Sequence, residues 1–215
     1  MGTEAAADDQ GVSFGGSVPG SLLSESADSR RFLQREFLLW LWHVSETRST
    51  GLVIKSPRGA RTFAVDMSVD DRIALQSTTS QNQAHIIKGG VPSQSSEAGI
   101  ALVVGRSVSE LRVGISIDGI GEFSALLRSD DLLPRALRLP KSPSAEGMSS
   151  GDGPEPDRPI QLRVDLIDTF LDVFDGLFLE FLTCRTAKTW ASDDLPKIVA
   201  WTRDRAAKFE VKLLH

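Results

Sequence analysis

Clustered carboxylates come first, because metal-dependent hydrolysis and general acid–base chemistry both need them. Asp66, Asp70 and Asp71 fall within six positions, a density that a metal-dependent nuclease could use. They sit at the end of a strand-like run and in the SVDD segment that follows, where Asp commonly bonds local backbone, so a turn role is the preferred reading. Asp165, Asp168, Asp172 and Asp175 recur at i, i+3, i+7 and i+10 and share one helix face. That stripe is read as a solvated face, with a metal or partner site as the sharper alternative. His43, His85 and His215 are scattered, and none has a second His or Cys at metal-ligand spacing. His43 lies in an apolar helical segment and is read as a hydrogen-bonded core or border residue. Gly119-Ile120-Gly121 lies in a hairpin-like context and lacks the strand–turn–helix setting of a phosphate loop. No GxSxG elbow is present. These readings assign no catalytic residue, metal ligand, cofactor or small-molecule substrate, and the expectation is a protein that is not an enzyme.

The basic residues offer binding rather than catalysis. From Arg185 to the last residue, seven basic side chains stand against four acidic ones, with Trp190 and Trp201 interleaved. Arg203, Arg205, Lys208 and Lys212 form the densest part and are the candidate phosphate contacts. The competing reading is a mixed-charge helix that covers the core.

Several elements must position these groups. In the stretch Arg30–Glu46 (RRFLQREFLLWLWHVSE), Leu33, Phe37, Trp40, Leu41 and Val44 recur on one helical face. Leu38, Leu39 and Trp42 fill the flank, so the helix is apolar nearly all round and must be covered on several sides. Ser26 or Asp28 could cap it. From Gly51 to Lys88 the period changes to two. The runs GLVIK, RTFAVDM, RIALQS and QAHIIK predict three or four antiparallel strands, with turns at SPRGA, SVDD and STTSQN. Pro57 and Gly59 make the first turn, Pro by its fixed φ and Gly by its access to positive φ. A short helix to about Val104, with Ser93–Ser96 offering caps and Gly105 as its stop, precedes strands at Glu110–Asp118 and Glu122–Ser129 joined by an Asp-Gly turn. Asp131–Pro140 reads as an edge strand or loop because of Pro134. Two helices close the chain. Ile160–Arg185 carries Leu162, Leu166, Phe170, Val173, Leu177 and Phe181 on one stripe, and Asp193–Leu213 has Pro196 in its first turn. The fold class is therefore α+β, an antiparallel sheet packed against a central apolar helix with two C-terminal helices.

Domain organisation follows from composition. The carboxylates of Glu4, Asp8, Asp9, Glu25 and Asp28 equal the whole formal charge of −5, so the chain beyond residue 29 is neutral. Residues 1–27 read as a disordered acidic tail, 28–140 as the helix and sheet, 141–159 as a disordered Pro/Gly/Ser linker, and 160–215 as helices packing on the same domain. Cys184 is alone, which excludes an internal disulfide, and it reads as a small buried hydrophobe. The first residues lack the basic start and apolar run of a signal peptide, and no run approaches a membrane span, so a cytoplasmic protein is expected.

The strings RRFLQREFLLWLWHVSE, GRSVSELRVGISIDGIGEFSALLRSDDLLPRALRLP and DLIDTFLDVFDGLFLEFL together resemble the carboxy-terminal half of the recombination-associated RdgC family, over about Arg30 to Leu182. The resemblance implies a non-enzymatic, nucleoid-associated homodimer that holds duplex DNA without sequence preference and modulates recombination. It also brings a "putative exonuclease" label, which the residues above do not support. The alternative function is a protein-interaction or structural module. A contiguous basic groove would favour DNA and an exposed apolar patch would favour a protein partner.

Overall fold

A computed structural model describes residues 27–48, 51–77, 84–89, 95–140 and 158–213 of the 215-residue chain. Helix α1 spans Ala27–Thr47. Every residue from Phe37 to Trp42 is buried, because the sheet, α3 (Arg158–Thr186) and α4 (Leu195–Leu213) each cover part of its circumference. The central apolar helix expected from the sequence is present, with an antiparallel sheet packed on it.

The sheet has six strands: β1 (Leu52–Lys55), β2 (Thr62–Ser77), β3 (Ala84–Lys88), β4 (Arg106–Ile117), β5 (Gly121–Arg128) and β6 (Arg135–Arg138). Its order is β1-β2-β4-β5-β6, and all pairings are antiparallel. β1 pairs with the start of β2 and β3 with its end, both on the edge opposite β4. Phe63, Val65, Met67 and Val69 alternate inward along β2, opposite Ile117, Ile115 and Val113 of β4. The short helix α2 (Ser96–Val103) leads into β4. It ends at Gly105, whose φ of +84° takes the left-handed stop that glycine permits. β6 starts directly after Pro134 on the sheet edge, where a missing N–H costs no ladder bond.

Four details differ from expectation. RTFAVDM and RIALQS are one strand, because SVDD forms a bulge and not a turn. Asp70, Asp71 and Arg72 of β2 all stand opposite Arg112 alone, between the pairs Val69–Val113 and Ile73–Leu111. Gly59 does not take positive φ, so at the first turn only proline's constraint operates. Ser95 occupies the N-cap of α2 without a side-chain cap bond. The last helix is preceded by a π-type turn at Trp190–Asp194, which tucks Trp190 into the core. Arg158 and Pro159 belong to α3 and Ala27 to α1. Otherwise the tail and linker readings, Ser26, Ser93 and His215 lie outside the described residues.

Candidate functional site

Two glutamates of α1, ten residues apart, each take up an arginine from a later helix. At the first, Arg185 of α3 donates from Nε to Glu36 at 2.8 Å, with only 4% of the glutamate side chain exposed. The guanidinium also lies 5.2 Å from the Trp190 ring. Burial pushes the Glu36 carboxyl above its ordinary 4.5, and the bond and charge of Arg185 oppose that rise. At the second, Glu46 accepts from Trp42 Nε1 at 2.8 Å, from Trp201 Nε1 at 3.1 Å and from the Arg205 guanidinium. Arg205 stacks 5.2 Å from Trp42 and 4.9 Å from Trp201, and its side chain is 11% exposed. Helices α2 and α4 meet close to it, since a Cβ on Gly99 would fall 2.8 Å from Arg205 Cβ and 2.9 Å from the Ala206 nitrogen. These two clasps fix α3 and α4 to the ends of the apolar run of α1.

The expected phosphate contacts therefore separate. Arg203 is exposed on α4, Arg205 is an internal clasp, and the side chains of Lys208 and Lys212 lie outside the described set. Lys197 is paired with Asp193 at 2.8 Å. The tryptophans interleaved with the basic residues are packing partners: Trp190 is buried and Trp201 meets Trp42 edge-on.

The carboxylates separate as well. Asp66 accepts from the Gly51 N–H at 2.8 Å. Asp70 accepts from Ser68 at 3.1 Å and from Ser124 at 2.6 Å. Its side chain passes over Gly114, where a Cβ would lie 2.8 Å from Asp70 Oδ1, so only glycine leaves room for the crossing. Asp71 pairs with Arg112 at 3.2 Å. All three serve the bulged sheet, and among the described residues no three His, Cys, Asp or Glu are placed to hold a metal ion. The helical aspartates are not one solvated face: Asp172 is buried and accepts from Ser56 at 2.8 Å, and Asp175 pairs with Arg58 at 2.7 Å. Asp165 and Asp168 stay exposed beside Arg58 and Arg61 in an open groove of about 520 Å³.

His43 is half-buried against Trp201, 5.2 Å between ring centres, and burial holds its pKa below the ordinary 6.5. This agrees with a border residue, although its buried Nδ1 makes no hydrogen bond. Cys184 is partly buried and its thiol is pushed up by burial. A second groove of about 290 Å³ brings Arg35 of α1 to Glu110 and Arg128 of the sheet and to Asp130 in the turn after β5. Arg128 is already paired with both acids, at 3.5 and 3.2 Å, and Glu110 also holds Arg72. The groove is thus charged but largely self-neutralised.

The feature that stripe counting misjudged is at the other end of α3. Phe170, Val173, Leu177 and Phe181 are fully buried as expected, but Leu162 of the same stripe is 44% exposed. Ile160, Val164 and Ile167 are exposed at 64%, 44% and 38%. The first turns of α3 carry core-type residues past the covered part of the fold. Periodicity marks those residues as apolar but does not report how far the covering layers reach.

No family model, curated protein or solved structure matches this chain. Among the described residues no helix is long and apolar enough to cross a membrane.

Proposed function

We propose that this chain is a non-enzymatic interaction protein that presents the first turns of α3 to a partner. The sheet, α1 and α4 act as the platform that holds this helix out. The observation that carries the reading is the exposure of Ile160, Leu162, Val164 and Ile167 together on one helix end. Single exposed apolar residues need no explanation, but Ile160, Val164 and Ile167, spaced four and three residues apart, share one helix face, and a contiguous apolar set marks a docking site. A photo-cross-linking side chain placed at Val164 in the cell should give covalent adducts that the same group at Ser116, exposed on the open sheet face, does not. Equal labelling at both positions, or none at Val164, defeats the reading.

A second reading keeps the resemblance to the RdgC family, with duplex DNA as partner and recombination as the process. Lys188 and Arg203 support it, since both are exposed and neither makes an ion pair among the described residues. Such binding would be sequence-independent, because contacts to phosphates carry no base information. With few free cations, its affinity would lie near 10⁻⁴–10⁻⁶ M, roughly the nonspecific range, with a shallow salt dependence. Retention on a duplex DNA column at low salt, lost on replacing Arg203, Lys208 and Lys212 together by Glu, would favour it over the first.

A further inference from the structure

Four residues line up across four strands at one end of the sheet. Ile86 of β3 stands opposite Ala74 of β2, Ala74 opposite Glu110 of β4, and Glu110 opposite Arg128 of β5. Directly opposed residues share a face of a sheet, so the four form one row. The row is apolar at the β3 end, where Ala84 lies two residues before Ile86, and charged at the β5 end. It spans about 14 Å, three strand spacings of about 4.8 Å. All of these residues line the groove of about 290 Å³, and Arg35 of α1, Ser129 and Asp130 line it with them.

The charges of this groove do not balance. Glu110 holds Arg72 at 2.5 Å and Arg128 at 3.5 Å, and Asp130 holds Arg128 at 3.2 Å. The neighbouring Asp71 is taken up by Arg112. Arg35 makes no ion pair among the described residues, and its Nε is buried without a hydrogen bond. Arg35, Arg72 and Arg128 thus stand against Glu110 and Asp130, a surplus of one positive charge. A donor taken out of water without an acceptor is unfavourable, and a ligand that brings the acceptor relieves it. The planar fork of a guanidinium matches a carboxylate, which can take two of its donors at once.

We propose that this groove binds a small aliphatic monocarboxylate, at a site separate from the docking surface on α3. The carboxylate meets Arg35, with the Ser129 hydroxyl as a second donor, and the hydrocarbon lies along Ala74, Ala84 and Ile86. Ile86 is 46% exposed in the free protein, so the ligand's chain would remove apolar surface from water there. The single surplus charge selects a monoanion. A phosphate dianion would set two negative charges beside Glu110 and Asp130 with one free cation to answer them. The groove lies at the small end of ligand pockets, which run from about 300 to about 1,000 Å³, and so admits a short chain only.

Straight-chain carboxylates from acetate to octanoate, added to the full chain, are the probes. Heteronuclear NMR of the Arg35 Nε–H and the Ile86 methyl groups is the readout. Hexanoate should shift both signals along one saturable curve and bind more tightly than acetate, since added methylenes bury further apolar surface. Hexanol, which carries no charge, should leave the Arg35 signal in place. Arg35→Gln should weaken hexanoate binding by about tenfold or more, the loss of a charge-assisted hydrogen bond, with far-UV circular dichroism unchanged. Ile86→Ser, at an exposed position, should weaken hexanoate and leave acetate as it was. If Arg35→Gln disturbs folding, the wild-type titration still decides. No shift at Arg35 below the concentration at which the acid forms micelles overturns the site, and so do shifts confined to Ile160, Val164 and Ile167 of α3. Inorganic phosphate binding as tightly as hexanoate overturns the monocarboxylate assignment. None of these outcomes alters the cross-linking expected at Val164, so this site and the α3 docking reading stand or fall separately.

Discussion

Both ends of α3 carry large apolar residues at helical spacing, and they meet opposite fates. Its second half buries Phe170, Val173, Leu177 and Phe181 completely against α1 and the sheet, and its end is fastened by the bond from Arg185 to Glu36. Its first turns carry Ile160, Leu162, Val164 and Ile167 into solvent. The rings of α3 all sit in the covered stretch, but apolar spacing runs through both parts, and what lies beside each decides its fate. The difference teaches that an apolar helical stripe specifies a contact without naming who makes it. In the second half the contact is internal and supports the fold. In the first half it is left open, and that is where function is proposed.

The largest test of this contrast removes a ring from the covered half. Phe181 packs on Phe37, Trp40, Phe178 and Trp190 and is fully buried. Phe181→Ala should destabilise by about 3–5 kcal/mol, the transfer term plus the cavity left behind. Urea unfolding at dilution measures it. A loss below about 1 kcal/mol would mean that the site collapses freely and that the two halves are not so different.

Next in size is the clasp. Arg185→Ala leaves the carboxylate of Glu36 buried without its counter-ion, a change that costs roughly 3 kcal/mol or more when the partner stays charged. The loss should depend on pH in a definite direction. The Glu36 carboxyl already lies above its ordinary value because of burial, and removing Arg185 removes the influence that lowers it. A group that holds its proton more tightly folded than unfolded makes stability fall as pH rises through that window. The defect of the variant should therefore be large at neutral pH and shrink as pH falls towards 4.5, the ordinary value. A defect equal at both ends means that Arg185 acts through packing on Trp190 and not through charge.

Much of this contrast was legible in the sequence and its decisive part was not. The spacing from Leu33 to Val44 and the period-two runs after Gly51 fix which faces must be buried, so helix, sheet and closing helices could all be placed. The SVDD bulge was read as a turn because Asp and Ser carry the same local chemistry in both. The separation comes from Gly114, which lets Asp70 of β2 reach across β4 to Ser124 of β5. Arg205 was read as a phosphate contact because a sequence does not reveal that Glu46 and two indoles converge on it from other turns and another helix. Its partner is 159 positions away in the chain, far beyond any local pattern. The Leu162 misreading has the same origin, since the periodicity of one element says nothing of the length of its neighbours.

A smaller effect belongs to the far end of α1. His43 is held neutral by burial against Trp201, with its pKa below 6.5. Such a group binds fewer protons folded than unfolded, so stability is lost as pH falls through the ordinary value near 6.5. His43→Gln should flatten that part of the stability–pH curve and leave the more acidic window governed by Glu36 unchanged. Melting temperatures of both proteins between neutral and mildly acidic pH check it, and an unchanged slope would assign the dependence to another group.

The smallest expected effect bears most directly on the comparison, because it concerns the open end of α3. In dilute protein Ile160→Ser and Val164→Ser remove methyl groups that solvent already reaches, so the transfer term that dominates at Phe181 has little to act on. Each should change unfolding free energy by no more than about 0.5 kcal/mol, as for ordinary surface positions. What remains is the modest preference of helices for Ile and Val over Ser or the reverse, which is small at a single exposed position. Measured against Phe181→Ala in the same buffer, the ratio of the two losses gives the contrast between the halves directly. A loss above about 1 kcal/mol at Val164 in dilute protein would mean that this end is already covered within one chain. The apolar turns of α3 would then be core, and the docking surface would have to be sought elsewhere.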